Sequence, residues 1–429
     1  MYKVLVSHPA KQGNVYQRPL AVQQSGLPVC FLTGLYYKPD EFPYSMVKWL
    51  PESKQATIIK ILNKRRLTEL NPQVVTSLYG PWLELAVRPF LYVPWLELAV
   101  KPYTVYRTWN AIHDKLAARW LSHSYNPEIP TIIHGFQGSF LRTIRAAKRR
   151  GIPTLLEITL PPCANPIVSE ERRRLGLKLG AKQPWPEDLQ EIQEADYIMA
   201  QSWFTINYLL EQGKAPDRII HLPMGVDIRK FSPQPSKVAD EHPFRVLFVG
   251  QLSIRKGLHL LLEAWKQLSL PNAELILVGQ VTNKEIEPIL QAYKGLYTQL
   301  DFVSNEKLVE TFQTSDLFVF PSLAEGGCSV VNEALASGLP CVISKNAGSS
   351  VQDSVEGYVV PVGNIEAMKN RILYLYQNPQ LREEMGRAAR KKAEHLSWDT
   401  FQPRLLSMYE YILYNRPESN GEVLNLEFL

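Results

Sequence analysis

The stretch FVFPSLAEGGCSVVNEALASGLPCVIS, residues 318–344, decides the architecture. An apolar run stops at Pro321, as a strand buried in a parallel sheet does, and residues 329–337 then carry helix formers up to Gly338. Leu339 and Pro340 lead into a further apolar strand. Glu325 falls in the loop at the carboxyl end of the first strand, where open α/β sheets bind ligands, and Gly326-Gly327 lets a ligand approach the backbone. The helix N-terminus that follows is an anion site. Glu333 lies about 6 Å further along the helix axis, at ~1.5 Å per residue, so two carboxylates can reach different parts of one extended ligand. A carboxylate offers acceptors and no donor, which suits vicinal hydroxyls: those of a sugar at Glu325 and of a ribose at Glu333.

Outward from this stretch the same alternation continues. A strand over 244–249 is followed by Gly250-Gln251-Leu252-Ser253-Ile254-Arg255-Lys256-Gly257, which opens a helix over 258–267. Two adjacent cations between glycines at a helix start can meet a diphosphate, although Arg and Lys are as often merely solvated. Strand signals recur at 274–279, 341–344 and 357–361, and helical signals at 364–395 and 398–414.

The N-terminal part reads as strands over 4–7, 27–33, 131–133, 152–158, 195–202 and 219–223. Helical stretches stand between them over 15–25, 46–71, 110–123 and 139–150. This is a doubly wound α/β pattern. The expected division is a Rossmann-like domain over 1–231, a Pro- and Ser-rich linker over 232–243, a second Rossmann-like domain over 244–396, and a last helix with a tail over 397–429. In the middle, PWLELAVRPFLYV from Pro81 is followed at once by PWLELAVKPYTVY. Each copy has Pro at a helix start, an acidic-basic pair at i, i+4 and a closing Pro, which favours two short helices. The copies are either tolerated surface filler or an aromatic and basic surface suited to a headgroup boundary.

The 429 residues, 45% hydrophobic and 21% charged, suit two globular domains. No apolar run approaches the roughly 20 residues of a spanning helix. Residues 1–7 read as a first strand without signal-peptide layout, so a cytoplasmic location is expected. Cys30, Cys163, Cys328 and Cys341 have neither metal-ligand nor disulfide-scaffold spacing and are expected to be reduced. A formal charge of +5 permits anionic substrates or peripheral contact with an anionic membrane. Nucleic acid is not expected as a partner.

Glu325-Gly326-Gly327 before a small-residue helix, Glu333 eight positions on, and Gly338-Leu339-Pro340 resemble the donor-site motif of family 4 of the retaining nucleotide-sugar glycosyltransferases. The resemblance is specific over 245–414 and one of layout before that. It implies the GT-B fold, two doubly wound domains across a cleft, with a nucleotide-diphosphate sugar on the C-terminal domain, a hydroxyl acceptor on the N-terminal one, and the last helix, 398–414, crossing back onto the N-terminal domain. Glu325, Lys256 and His134 are then the expected catalytic residues. Arg255, Gln251, Gly326, Gly327, Cys328, Ser329 and Glu333 would bind the donor, and Val303 and Ser304 its base. Gly13, Glu157 and Thr159 fall on the acceptor side.

Some positions depart from the family pattern. Gln251 stands where an Arg is usual, leaving Arg255 to supply that charge. Gly327 and Cys328 replace a bulky residue and a Gly. Thr159 stands where a second His is common. A lone His such as His134 is also often a hydrogen-bonded structural residue. No cofactor or metal is expected. Two other readings stay open, a sugar-nucleotide epimerase or hydrolase of the same architecture and a catalytically silent sugar-nucleotide-binding subunit.

Overall fold

The computed structural model describes the chain except for residues 10–13, 35, 43, 64–65, 79–101, 126–127, 179–183, 235–242, 282, 302, 415–421 and 428–429. Gly13, most of the tandem duplication and most of the expected linker lie outside the described residues. The strands are β1 (Lys3–His8), β2 (Val29–Thr33), β3 (Val75–Ser77), β4 (Thr131–Phe136), β5 (Thr154–Ile158), β6 (Tyr197–Ala200) and β7 (Ile219–His221). They continue as β8 (Phe244–Val249), β9 (Ala273–Val278), β10 (Thr298–Leu300), β11 (Leu317–Phe320), β12 (Cys341–Ser344), β13 (Gly357–Val360) and β14 (Leu424–Asn425).

Two sheets result, ordered β14-β7-β6-β5-β4-β1-β2-β3 and β10-β9-β8-β11-β12-β13. All their strand pairs are parallel. Within each sheet the winding reverses once, between β1 and β4 and between β8 and β11, and the crevice at the carboxyl ends of such a pair is where doubly wound sheets take ligands. Near-continuous apolar runs such as Leu317–Phe320 are completely buried, because helices cover both faces.

Alternate residues of β1 serve different cores. Val4 and Val6 pack with Phe401, Leu405 and Tyr409 of the helix Trp398–Tyr414, which returns from the end of the chain. Leu5 packs on the opposite face with Leu121 and Ile144 of the helices Pro102–His123 and Leu141–Lys148. The second domain has its own core around Val246, Leu247, Phe318 and Leu335.

Several expected boundaries move. The 46–71 stretch is not one helix: a 3-10 turn spans Tyr44–Trp49 and the helix is Glu52–Asn63, separated by Pro51. β3 is a three-residue edge strand, too short to show in a hydrophobic pattern. The 364–395 helix breaks into Ile365–Gln377 and Pro379–His395, since Pro379 has no N–H to continue the first. Pro102, expected to stop a short helix, begins a long one instead, as Pro at a first helical turn can. The tail contributes β14 to the first sheet through Leu424–Ile220 and Asn425–His221 pairing.

A buried ion pair fastens the returning helix to the sheet. Arg18 clasps Glu157 at 2.6 and 3.1 Å, Gln201 Nε2 donates to the same carboxylate at 2.6 Å, and the His134 ring stands 3.1 Å from it. The other ring nitrogen of His134 meets the Tyr409 hydroxyl at 2.8 Å, and Arg18 lies over the Phe401 ring. Burial alone would raise the Glu157 pKa, but Arg18 first and His134 next outweigh it and bring the value to about 2. Because this lies below the ~4.3 of an unfolded chain, the stabilisation is complete above that value and drains as pH falls towards 2. Glu157→Gln should therefore cost about 3 to 5 kcal/mol near neutrality in urea unfolding, by leaving Arg18 buried and unpaired. It should also flatten the loss of stability between about pH 5 and pH 2, and an unchanged acid limb would count against this role.

Candidate active site

The loops after β8 and β11 are drawn together across the reversal point of the second sheet. Leu323 N–H donates to the Arg255 carbonyl at 2.8 Å, and the Ser322 hydroxyl, whose one proton is shared with Glu325, stands 3.1 Å from the same oxygen. Gly257 makes this possible. It is left-handed at φ 69°, and a Cβ there would overlap the Pro321 carbonyl oxygen. The helix Leu258–Leu268 starts immediately after it, so Arg255 and Lys256 project from a helix entrance towards the facing loop.

There they converge on one carboxylate. Glu325 Oε1 takes Arg255 Nη1 at 2.5 Å, Lys256 Nζ at 2.7 Å and the Ser322 hydroxyl at 2.8 Å. Arg255 also donates to the Ala324 carbonyl, and Lys256 sits 4.9 Å from the centre of the Phe320 ring. Burial resists ionisation of Glu325, yet Lys256 and then Arg255 hold its pKa below the usual range. Two cations against one carboxylate leave the site positive, which suits an anionic ligand.

Glu333 stands in different surroundings. It lines a cavity of about 180 Å³ with Ser329, Asn14, Asp227, Lys230 and Trp398, so residues of both halves of the chain meet there. Burial pushes its pKa up to about 7, only partly offset by Lys230. The helix Ser329–Ala336 that carries it begins at Cys328, which supplies no side-chain cap, so its first-turn amides are not spent on one. Burial also pushes the Cys328 thiol up to about 12, which keeps it protonated. All four cysteines are free thiols.

Gly326 and Gly327 were expected to admit a ligand. In the structure they admit the N-terminal half of the chain. A Cβ on Gly326 would overlap the Thr159 carbonyl, and one on Gly327 would overlap the Gln201 side chain. The Ser202 hydroxyl donates to the Gly326 carbonyl at 2.7 Å, and Asn332 Nδ2 donates to the Met224 carbonyl at 2.8 Å. Thr159 thus approaches through its backbone.

His134 does not line the cleft. It is fully buried between Glu157 and Tyr409, and burial lowers its pKa, so it stays neutral. Glu157 is likewise enclosed, in the centre of that network. Residue alternation explains both: β4 runs on to Phe136, and His134 turns to the face that the returning helix covers. Gln251 is exposed at the rim of the loop. Ser304 is engaged as the cap of the helix Asn305–Gln313, and Val303 beside it follows β10, two strands out from β8.

Sequence reasoning did not single out Ser322, Lys230, Arg18 or Gln201. Lys230 lies in the stretch shortly after β7, and Arg18 is a cation next to the apolar run Pro19-Leu20-Ala21-Val22 that its helix buries; each was a usable signal. Among the described residues no group of three or more His, Cys, Asp or Glu is placed to hold a metal ion, and no helix is long and apolar enough to cross a membrane.

Two parallel doubly wound sheets whose loops meet at such a cleft define the GT-B class of glycosyltransferase fold. Residues 230–392 of the chain match the model of the glycosyl transferases group 1 family. It is 28% identical over 255 residues to D-inositol 3-phosphate glycosyltransferase of Segniliparus rotundus, an alignment covering 53% of this chain and 56% of that protein. It is 27% identical over 284 residues to GDP-mannose-dependent alpha-mannosyltransferase of Mycobacterium tuberculosis, covering 63% and 69%. The chain spans about half the length of the first curated relatives it matches. Among solved structures, HepE of Anabaena in complex with UDP superposes with a TM-score of 0.61 at 16% identity, covering 95% of this chain and 99% of that one.

The packing at Gly326 yields a direct test. Gly326→Ala should push the two halves apart and enlarge the radius of gyration in small-angle scattering, while each half keeps its fold. An unchanged scattering profile would show that the loop yields without separating them.

Proposed function

We propose that the protein moves a hexosyl group from a nucleotide-diphosphate sugar to a hydroxyl acceptor, with retention at the anomeric carbon and without a metal ion. The observation that carries this reading is the convergence of Arg255 and Lys256 on Glu325 at the reversal point, with Glu333 in the adjoining cavity. The donor diphosphate lies against Lys256, Arg255 and the first amides of the helix Ser329–Ala336, and the ribose diol reaches Glu333. Glu325, with one oxygen held by the cations, offers the other to the sugar hydroxyls.

As the bond from the anomeric carbon to the diphosphate oxygen breaks, positive charge grows on the sugar and negative charge on the leaving group. The two cations stabilise the latter. The acceptor oxygen bonds to the anomeric carbon on the face the diphosphate leaves, and its proton passes to a diphosphate oxygen. UDP at a structurally similar protein supports a nucleotide donor, and the polar rim formed by Asn14, Asp227 and Lys230 supports a hydroxylated ligand.

His134 acts in this scheme as a positioning residue for Glu157 and the returning helix. Peripheral membrane contact rests on the aromatic and basic duplication alone, and removing one copy while following liposome binding would test it.

Donor class follows from a thermal-shift panel of UDP-, GDP-, ADP- and dTDP-sugars, since a ligand at about 100 times its Kd adds ~2.7 kcal/mol. Nuclear magnetic resonance of the product's anomeric coupling then reads retention or inversion. Lys256→Ala and Glu325→Gln should each lower transfer by about 30- to 1,000-fold, or roughly 2 to 4 kcal/mol. Glu333→Gln should instead raise the donor KM more than it lowers kcat, because the ribose lies away from the bond that breaks. Near-normal turnover in the first two variants would remove the donor-site assignment. Activity should persist in excess EDTA, and loss restored by a divalent cation would show a metal-dependent route.

A further inference from the structure

The helices Pro102–His123 and Leu141–Lys148 lie side by side on the sheet face opposite the returning helix, and a groove of about 320 Å³ runs between them. Lys115 and Arg119 line one wall, and Arg142, Arg145 and Arg149 the other. All five are exposed. Within each wall they recur at spacings of three or four residues, where like charges on a helix repel. Arg145 pairs with Glu194 at 2.6 Å, and Arg142 is 3.9 Å from Asp114. Lys115, Arg119 and Arg149 have no ion pair among the described residues.

The nearest buried carboxylates are committed elsewhere. Asp114 accepts from the Arg142 and Thr143 amides, and Glu191 from those of Gly138, Phe140 and Leu141, so both serve the start of the second helix. A helix dipole accounts for Arg149, which follows the C-terminal turn. It does not account for Arg142 in the first turn, where a cation is unfavourable. Simple solvation accounts for cations on a convex face, whereas here two positive walls face each other across a groove.

We propose that this groove is a binding site for anions carrying several phosphate groups. Guanidinium groups take phosphate oxygens through paired hydrogen bonds, and two facing stripes can hold neighbouring phosphates at once. The site is separate from Lys256 and Glu325 and does not depend on the proposed donor chemistry. Its phosphates come from a soluble polyphosphorylated molecule or from phospholipid headgroups in a bilayer.

Two arms distinguish these sources. In calorimetric titration with tripolyphosphate at low salt, the parent protein should bind one equivalent more than an Arg119→Glu/Arg149→Glu variant, and added salt should weaken that equivalent. Any tripolyphosphate held at the donor site remains in both proteins. Cosedimentation with phosphatidylglycerol vesicles, against phosphatidylcholine controls, of the parent but not the variant assigns the phosphates to lipid headgroups. Its absence assigns them to a soluble anion. Should charge reversal prevent folding, Arg119→Gln/Arg149→Gln should weaken the extra equivalent by about tenfold. Parent and variants that bind tripolyphosphate and both vesicle types equally overturn the proposal.

Discussion

The Glu325 carboxylate, shared between Arg255 and Lys256, ties together two loops that leave different strands of the second sheet. Without Glu325, two cations would sit side by side in a largely buried place. Without them, a buried carboxylate would shed its charge by taking up a proton. The two cations keep the carboxylate ionised, and its charge holds them side by side at the crevice. The close approach of Gly257 to Pro321 and the Ser322 contacts then become necessary to bring the loops within reach.

A second buried charge pair does comparable work in the first sheet, with a different outcome. Arg18 and Glu157 are satisfied by each other, by Gln201 and by a neutral His134, and nothing of that carboxylate is left to meet a ligand. The contrast is one of exposure and of unspent hydrogen-bonding capacity. The Glu325 cluster borders the cleft and carries excess positive charge, whereas the Glu157 cluster is enclosed and balanced. Perturbed ionisation alone therefore does not distinguish a reactive site from a fastening.

The two halves meet through backbone as much as side chains. Gly326 and Gly327 have no Cβ where Thr159 and Gln201 press against them, and Ser202 fixes the Gly326 carbonyl. This gives a physical reason for the lack of a side chain at Gly327: its place is filled by Gln201, which also holds Glu157. A change at the loop would thus be felt in the network beneath the returning helix.

Alternation of apolar runs with helix formers, the glycines and prolines that end them, and the spacing of Glu325 and Glu333 were legible in the chain itself. Such signals are local, acting over one strand or one helical turn, and they were enough for two doubly wound sheets and the loop bearing Lys256. Short or edge elements such as β3 and β14 escaped, because two or three residues carry no period. The fate of His134 and Glu157 was not legible either. Their partners Tyr409 and Arg18 lie 275 and 139 residues away in sequence, and which face a strand residue presents to which helix is settled only when the sheet is covered. Residue type at Glu325 made it a carboxylate for a ligand, but only tertiary packing decided that Arg255 and Lys256 would reach the same oxygen, because the loops that carry them meet only across the reversal of the sheet.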